Sequence, residues 1–338
     1  MQRLKQAVRR TLAAALFYTG LLHLYARFAL RGRIVVLTYH RVLPPERLRN
    51  SFSARAIVVS PAVFAMHMEC VSRWLRPLTQ AEFVTHSASA AAPPARSCLV
   101  TFDDGWYDNH EYALPILRKY RVPMTLFVAT DYIDSNRCFW QERLAALLFA
   151  TRGQPAAQQL LSELGAEHLA PLADAEAREA ALEIIARIKA QRRDPEALIE
   201  QLTALPSSAA TSAEDRFMTL AQLRALHESG WVSIASHAMS HARLNLLPDE
   251  RIAAELTGSS EVISRWFGGR PATCAYPNGD YDDRVVGAAR ASGYVAAFTT
   301  RAGHFKHGDD RHTIRRVNIH EGIAPTKPLF MMRLLGLL

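Results

Sequence analysis

Short apolar runs recur along the chain at 34–39, 98–102, 124–129, 231–235, 273–276, 294–299 and 313–319, each closed by a polar or turn-forming residue. Runs this short, apolar at consecutive positions, read as buried strands. Between them lie segments with helical spacing of apolar residues, among them 112–120, 220–229, 249–267 and 283–292. Strands alternating with helices predict a parallel α/β architecture, and residues at the carboxyl ends of its strands are where a barrel places its chemistry.

The alternation stops between about 138 and 215. That stretch is rich in Ala, Leu and Glu, keeps helical periodicity and is broken by Gly153-Gln154-Pro155 and Pro206-Ser207-Ser208. It reads as a helical insertion, either a roof that helps choose a substrate or a structural appendage, with Phe139 and Trp140 packing into its core. The Ala/Ser/Pro segment 87–95 reads as a flexible loop.

Residues 1–33 have a different pattern. Arg3, Lys5, Arg9 and Arg10 open the chain, an apolar stretch from Leu12 to Leu30 follows with His23 and Arg27 inside it, and Arg31 and Arg33 close it. A membrane span needs ~20 predominantly apolar residues, and charge on both flanks gives no orientation signal. The segment is expected to be a basic amphipathic helix lying on an anionic membrane surface, at the cytoplasmic face of the inner membrane. A signal anchor reaching the periplasmic side is the alternative, although no small-residue cleavage site stands out. The apolar tail 324–338 is either a second membrane contact or a docked helix.

Composition adds constraints. At 338 residues the chain can bury a large core, and its net charge of +8 suits an anionic surface. The basic residues are dispersed, with no zinc-finger or stacking motif, so nucleic acid is not an expected partner. Cys70, Cys98, Cys138 and Cys274 show no paired spacing, which argues against disulfides.

The candidate chemistry sits at strand ends. Thr101-Phe102-Asp103-Asp104-Gly105 puts two acids at the tip of one strand, and Gly105 permits a sharp turn there. Ser236-His237-Ala238-Met239-Ser240-His241 follows another strand, with two His four residues apart that one helical turn would bring to one face. A carboxylate and two imidazoles make a common catalytic zinc set, and they also hold other divalent first-row ions. Here the set is Asp104, His237 and His241.

These motifs resemble the polysaccharide deacetylase family, the NodB-homology or carbohydrate esterase 4 family. Thr101 to Gly105 matches its first motif in full. Both His of the second are present, but its middle hydroxyl is replaced by Ala238, which predicts a less rigid loop with the same ligand count. The resemblance implies a distorted, incomplete (β/α) barrel covering 34–137 and 216–323, interrupted by the insertion 138–215. It implies Asp103 as the general base and Asp104 as a metal ligand. The third motif is most similar to Ala275-Tyr276-Pro277-Asn278-Gly279, with the Asn278 backbone as oxyanion donor and Tyr276 and Pro277 as walls of the substrate pocket. Ala275 stands where the family often has an Arg that orients the base; Arg316 or Arg270 would have to supply it. His320 and His40 are the two candidates for the general acid, His40 lying in Tyr39-His40-Arg41-Val42, an element often seen early in bacterial members. His304, His307 and His312 read as solvated.

The implied activity is metal-dependent removal of N-acetyl groups from amino sugars of a cell-surface polysaccharide or a lipid-linked glycan precursor. Zinc is the first expectation for the ion, with cobalt, nickel or manganese as alternatives. An O-acetyl esterase or small-amide hydrolase on the same site is the runner-up. A glycan-binding protein that has lost turnover is the other class, prompted by Ala238 and Ala275.

Overall fold

The computed structural model describes residues 2–191, 195–204 and 212–338; the Pro206-Ser207-Ser208 separator lies outside them. Seven strands carry the fold: β1 (Arg33–Tyr39), β2 (Ser97–Phe102), β3 (Met124–Val128), β4 (Val232–Ser236), β5 (Thr273–Ala275), β6 (Ala296–Ala302) and β7 (Ile314–Asn318). Every neighbouring pair is parallel, and β1 pairs with both β2 and β7, so the sheet closes on itself. The result is a (β/α) barrel of seven strands instead of eight, distorted by a register shift between β6 and β7 at Ile314/Arg316. Two short strands flank the ring: Arg76–Pro77 beside β2, and Phe305–Lys306 antiparallel to β1.

The unbroken apolar runs have a simple cause. A barrel strand faces packed side chains on both sides, and all six residues of β2 are buried. Ile34, Val36, Leu99, Phe127, Ala235, Ala275, Phe298 and Ile314 form one cluster drawn from all seven strands, which fills the lumen. Phe83 and Phe305 join it beside Ile34, at the amino-terminal end of the strands. At the other end, β1 and β2 run in register from Ile34↔Ser97 to Tyr39↔Phe102, and β4 pairs β3 as far as Val128↔Ser236. His40, Asp103 and His237 therefore leave the sheet from the same end.

The chain divides into two compact units. One comprises the residues through Val42, Ala56–Ser135 and Phe217–Leu338; the other comprises Leu43–Arg55 with the described part of 136–216. The second unit thus includes a loop that the sequence boundaries 138–215 leave out. Phe52 enters the apolar core built by helices such as Trp140–Thr151 and Asp174–Gln191. Asp215 holds the loop in place by accepting hydrogen bonds from Ser51 Oγ (2.5 Å) and Phe52 N (2.7 Å). Trp140 packs against this core and Phe139 is buried.

Segment 1–33 belongs to the barrel unit and contains two helices, α1 (Gln2–Tyr18) and α2 (Leu21–Ala29), instead of the single helix expected, because Gly20 turns the chain at φ 80°. From Ala7 onward they meet at 82°, and among the described residues no single helix is long and apolar enough to cross a membrane. The carboxyl-terminal tail forms the helix Lys327–Leu334, docked with Leu329, Phe330, Met331 and Met332 buried. Of the histidines expected to be solvated, His312 is buried, with its Nε2 2.9 Å from Tyr294 O, and His304 Nε2 is 2.8 Å from Leu334 O. The turn-rich sequence around them folds back onto the barrel, which local polarity does not reveal.

Candidate active site

The two acids diverge at the end of β2. Asp104 adopts φ 81°, a left-handed conformation that swings its carboxylate away from that of Asp103, and Gly105 continues the turn at φ 96°. A side chain on Gly105 would meet Ile133 and Val128 at 3.0 and 3.3 Å, so its lack of a Cβ matters for space as well as for angle.

Asp104 Oδ1 lies 3.5 Å from His237 Nε2 and 3.5 Å from His241 Nε2, and the three potential ligand atoms all lie within 4.8 Å of one another. Around an ion with arms of about 2.1 Å, tetrahedral ligand atoms sit about 3.4 Å apart. The donor set fits a divalent cation in both type and separation. His237 Nδ1 is 2.8 Å from Ala275 O, so that nitrogen carries the proton and Nε2 presents its lone pair to the cluster.

The two imidazoles do not meet on a helical turn. Residues 237–241 form a loop in which Ala238 (φ 61°) and His241 (φ 58°) are left-handed. Nor does the loop lack ties. Ser236 Oγ accepts from Ala238 N, and the buried carboxylate of Glu255 accepts from Met239 N (2.9 Å), Ser240 N (2.8 Å) and Ser240 Oγ (2.5 Å). Ala238 itself is fully buried in an apolar cluster with Leu244, Ile252 and Leu256, where a hydroxyl would need a partner.

Asp103 is paired with Arg316. Two parallel bonds of 2.7 Å run from Nη1 and Nη2 to its two oxygens, while Arg316 Nε donates to Thr299 O (2.7 Å) and Nη1 reaches Thr101 Oγ1 (3.3 Å). Both side chains are buried. Burial alone would raise the Asp103 pKa, but the guanidinium, with His237 and His40 nearby, holds it below the usual carboxylate value. For Asp104 burial is likewise outweighed by the surrounding imidazoles, above all His237, and its pKa is lowered. For His237 burial opposes protonation, yet the neighbouring carboxylates of Asp104 and Asp103 raise its pKa. Arg270 is exposed in the turn ahead of β5, at the other end of the strands, and takes no part.

The remaining candidates separate. His40 Nε2 is 3.9 Å from Asp103 Oδ2, and its buried Nδ1 has no hydrogen-bond partner among the described residues. His320 follows β7 and is half-buried; burial and Arg333 lower its pKa. Asn278 is left-handed (φ 57°), and its carbonyl accepts from Thr300 Oγ1. Tyr276 is not an open pocket wall. It is fully buried, donates to His312 O (3.0 Å) and stacks on Tyr281, and Pro277 is buried beside it.

Two supports have no counterpart in the motif reading. Trp106 Nε1 donates to Asp104 Oδ2 (2.8 Å), and its ring is stacked between Phe217 at 4.4 Å and the Arg41 guanidinium at 4.2 Å. Arg41 is anchored by buried Asp108 (2.9 Å), which also accepts from Val42 N. Trp106 stands next to Gly105, so adjacency could have flagged it. Glu255 lies in the distant helix Asp249–Phe267, and nothing local marks it.

The sequence profile of the polysaccharide deacetylase family matches residues 90–297, more than half of the chain and a span that includes Asp103, Asp104, His237 and His241. The chain belongs to the polysaccharide deacetylase family. Its reaction class is therefore that of a deacetylase, a hydrolase. The polysaccharide deacetylase-like protein YxkH of Bacillus subtilis (strain 168) is 20% identical over 87% of this chain and 74% of its own length. A poly-beta-1,6-N-acetyl-D-glucosamine N-deacetylase of Staphylococcus aureus is 32% identical over 110 residues, 30% of this chain and 38% of that protein. Among solved structures, the Streptococcus pyogenes deacetylase PplD is similar with TM-score 0.58 and 18% identity, covering 90% of this chain and 98% of that one. IcaB from Ammonifex degensii is similar with TM-score 0.55 and 18% identity, over 88% and 97%. Arg316, His40 and His320 all lie outside the span matched by the family profile.

Proposed function

We propose that this deacetylase removes N-acetyl groups from the amino sugars of a surface polysaccharide, with Asp104, His237 and His241 holding one divalent ion, zinc first among the candidates. The observation that carries the reading is the Asp103 carboxylate, clamped by Arg316, next to that ligand set. The ion would supply Lewis acidity, polarising the acyl carbonyl and acidifying the attacking water.

Asp103 takes a proton from the water that adds to the carbonyl carbon. Arg316 fixes the plane of the carboxylate and keeps it charged, and each carboxylate oxygen retains a lone pair beyond the one that Arg316 uses. The Asn278 backbone N–H is assigned to the developing oxyanion. Breaking the C–N bond requires a proton on the departing nitrogen. We assign that proton to His40, whose Nε2 lies near Asp103; His320, with its pKa lowered, is poorly suited to carry one at neutral pH. The products are acetate and a free amine.

The amino-sugar assignment is supported by the similarity to the poly-N-acetylglucosamine deacetylase. The degenerate-binder reading rested on Ala275 and Ala238. Arg316 brings a guanidinium to Asp103, and Glu255 ties the loop around Ala238, so both departures are offset.

The test is acetate release from N-acetylglucosamine oligomers by metal-stripped enzyme before and after zinc or cobalt is restored, beside Asp103→Asn. Metal-dependent release, lost in Asp103→Asn while the metal stays bound, is expected. Release that survives metal stripping, or unaltered turnover in Asp103→Asn, would sink the assignment.

A further inference from the structure

We propose that the α1–α2 pair is a docking face for an anionic lipid bilayer and that it holds the enzyme with its active site turned away from the membrane. The second half rests on the functional reading above.

Ten large apolar side chains are exposed among the described residues, and seven of them lie on these two helices. On α2 they are Leu21, Leu24, Tyr25 and Phe28, whose spacing puts them on one helical face, while Leu22 and Ala26 are buried on the other. On α1 they are Val8, Leu12 and Tyr18. The exposed faces are not frayed ends. Phe17, His23 and Trp74 pack ring to ring at 4.9–5.3 Å, and Leu30 is buried, so the pair is seated on the barrel and still leaves this patch uncovered. With the helices at 82°, the apolar side chains spread over an area instead of a line.

Charge selects the occupant. Residues 1–33 contain seven Lys and Arg and no Asp or Glu, and Arg9, Arg10, Arg27 and Arg31 are exposed. A second copy of this chain would bring like charge against like. An apolar stripe of Leu, Phe and Tyr bordered by Arg is the pattern of a helix lying in an anionic bilayer surface. Beside α2 is a cleft of about 360 Å³ lined by His23, Arg27, Trp74, Arg96 and Met331. Neither Arg27 nor Arg96 forms an ion pair among the described residues, and together they make a site for the phosphate of a lipid headgroup.

The orientation follows from topology. α2 runs into the start of β1, and Arg96 immediately precedes β2, so the patch lies at the amino-terminal pole of the barrel. His40, Asp103 and His237 leave the opposite pole. A six-residue strand spans about 20 Å. A bilayer held at α2 would leave the reacting groups on the far side of the barrel, accessible to a polymer in solution and remote from a sugar attached directly to a lipid. This favours the polysaccharide over the lipid-linked precursor as substrate.

The test is co-sedimentation of the full chain with phosphatidylcholine vesicles, with and without phosphatidylglycerol, at low and high salt. Binding that needs phosphatidylglycerol and weakens with salt is expected. Leu24→Glu with Phe28→Glu should lower the partition coefficient at least about tenfold, and Arg27→Glu with Arg96→Glu about tenfold. Both double variants should release acetate from soluble oligomers at the parent rate, and vesicle-bound enzyme should match free enzyme. Failure to pellet with anionic vesicles, or equal pelleting of the variants, overturns the docking face. A lipid-free dimer that Leu24→Glu with Phe28→Glu dissolves makes the patch a self-association surface instead. Vesicle binding that blocks turnover of soluble oligomers overturns the orientation. Pelleting requires no turnover, so an inactive enzyme that still binds vesicles defeats the deacetylase reading alone.

Discussion

The two poles of the barrel are built on opposite principles. At the carboxyl-terminal pole, charged groups are buried and cross-braced: Asp103 by Arg316, Asp104 by Trp106, and the His237–His241 loop by Glu255. At the amino-terminal pole the order is reversed, with apolar side chains of α2 exposed and arginines left in solvent. Buried charge is costly unless its partners are fixed, so one pole depends on geometry to a fraction of an ångström. The other presents exposed apolar area and positive charge, which one substitution changes little. A single substitution should therefore be severe at the first pole and mild at the second.

The largest effect is expected at the paired acid. Arg316→Met leaves Asp103 buried without its counter-charge, which should destabilise the fold by about 3–5 kcal/mol and reduce kcat sharply, read by denaturant unfolding and acetate release. Asp103→Asn should cost about 10²–10⁴-fold in kcat with metal content nearly unchanged, and it should also lower stability, because the buried Arg316 guanidinium loses its counter-charge. If Asp103→Asn lost stability but kept its turnover, the clamp would be structural and the base would lie elsewhere.

Next come the supports. Trp106→Phe keeps the stacked ring but removes the N–H to Asp104, and metal affinity should fall about 10–100-fold while the fold survives. Glu255→Gln should weaken metal retention through the loop, because a neutral amide replaces the charged acceptor of the Met239 and Ser240 amides. Equilibrium dialysis with zinc measures both. Unaltered affinity in the two variants would confine the site to its three ligands.

The last effect, absent at neutral pH, concerns stability against pH. His67 is buried with Nε2 2.7 Å from Ala324 O and Nδ1 3.2 Å from Tyr39 Oη, and burial lowers its pKa to about 4. The unfolded chain takes up that proton near pH 6.5. Stability from neutral His67 is thus present above pH 6.5 and lost as pH falls towards 4, by up to about 3 kcal/mol. His67→Gln should flatten this part of the unfolding profile, and an unchanged slope would assign the acid sensitivity to other groups.

Much of this was legible in the chain. The β2 run ending in Asp103-Asp104-Gly105 and the β4 run ending in Ser236-His237 give strands, tips and ligands together, because in a barrel the apolar run and the chemistry adjoin in sequence. His237 and His241 were legible as a pair but not as a loop, since i, i+4 spacing is shared by a helical turn and by a turn with two left-handed residues. Arg316 could be named only beside Arg270. Both stand near strands, and what separates them is the end of the barrel at which each side chain emerges. Tyr276 reads like a pocket residue because aromatic groups adjoin the motif, yet its hydroxyl is used by His312 O, a partner 36 residues away.

The sequence by itself determined the barrel class, the helical character of the insertion, the two motifs that carry the candidate ligands and the neighbouring acid, and the basic, apolar composition of the first 33 residues, because each depends on residues close together in the chain. Only the tertiary structure decided that Arg316 clamps Asp103, that Trp106 and Glu255 support the ligand set, that residues 43–55 belong with the insertion, and that α2 and the acids occupy opposite poles. Those are contacts between distant segments, fixed by strand register and ring closure, and no local pattern encodes them.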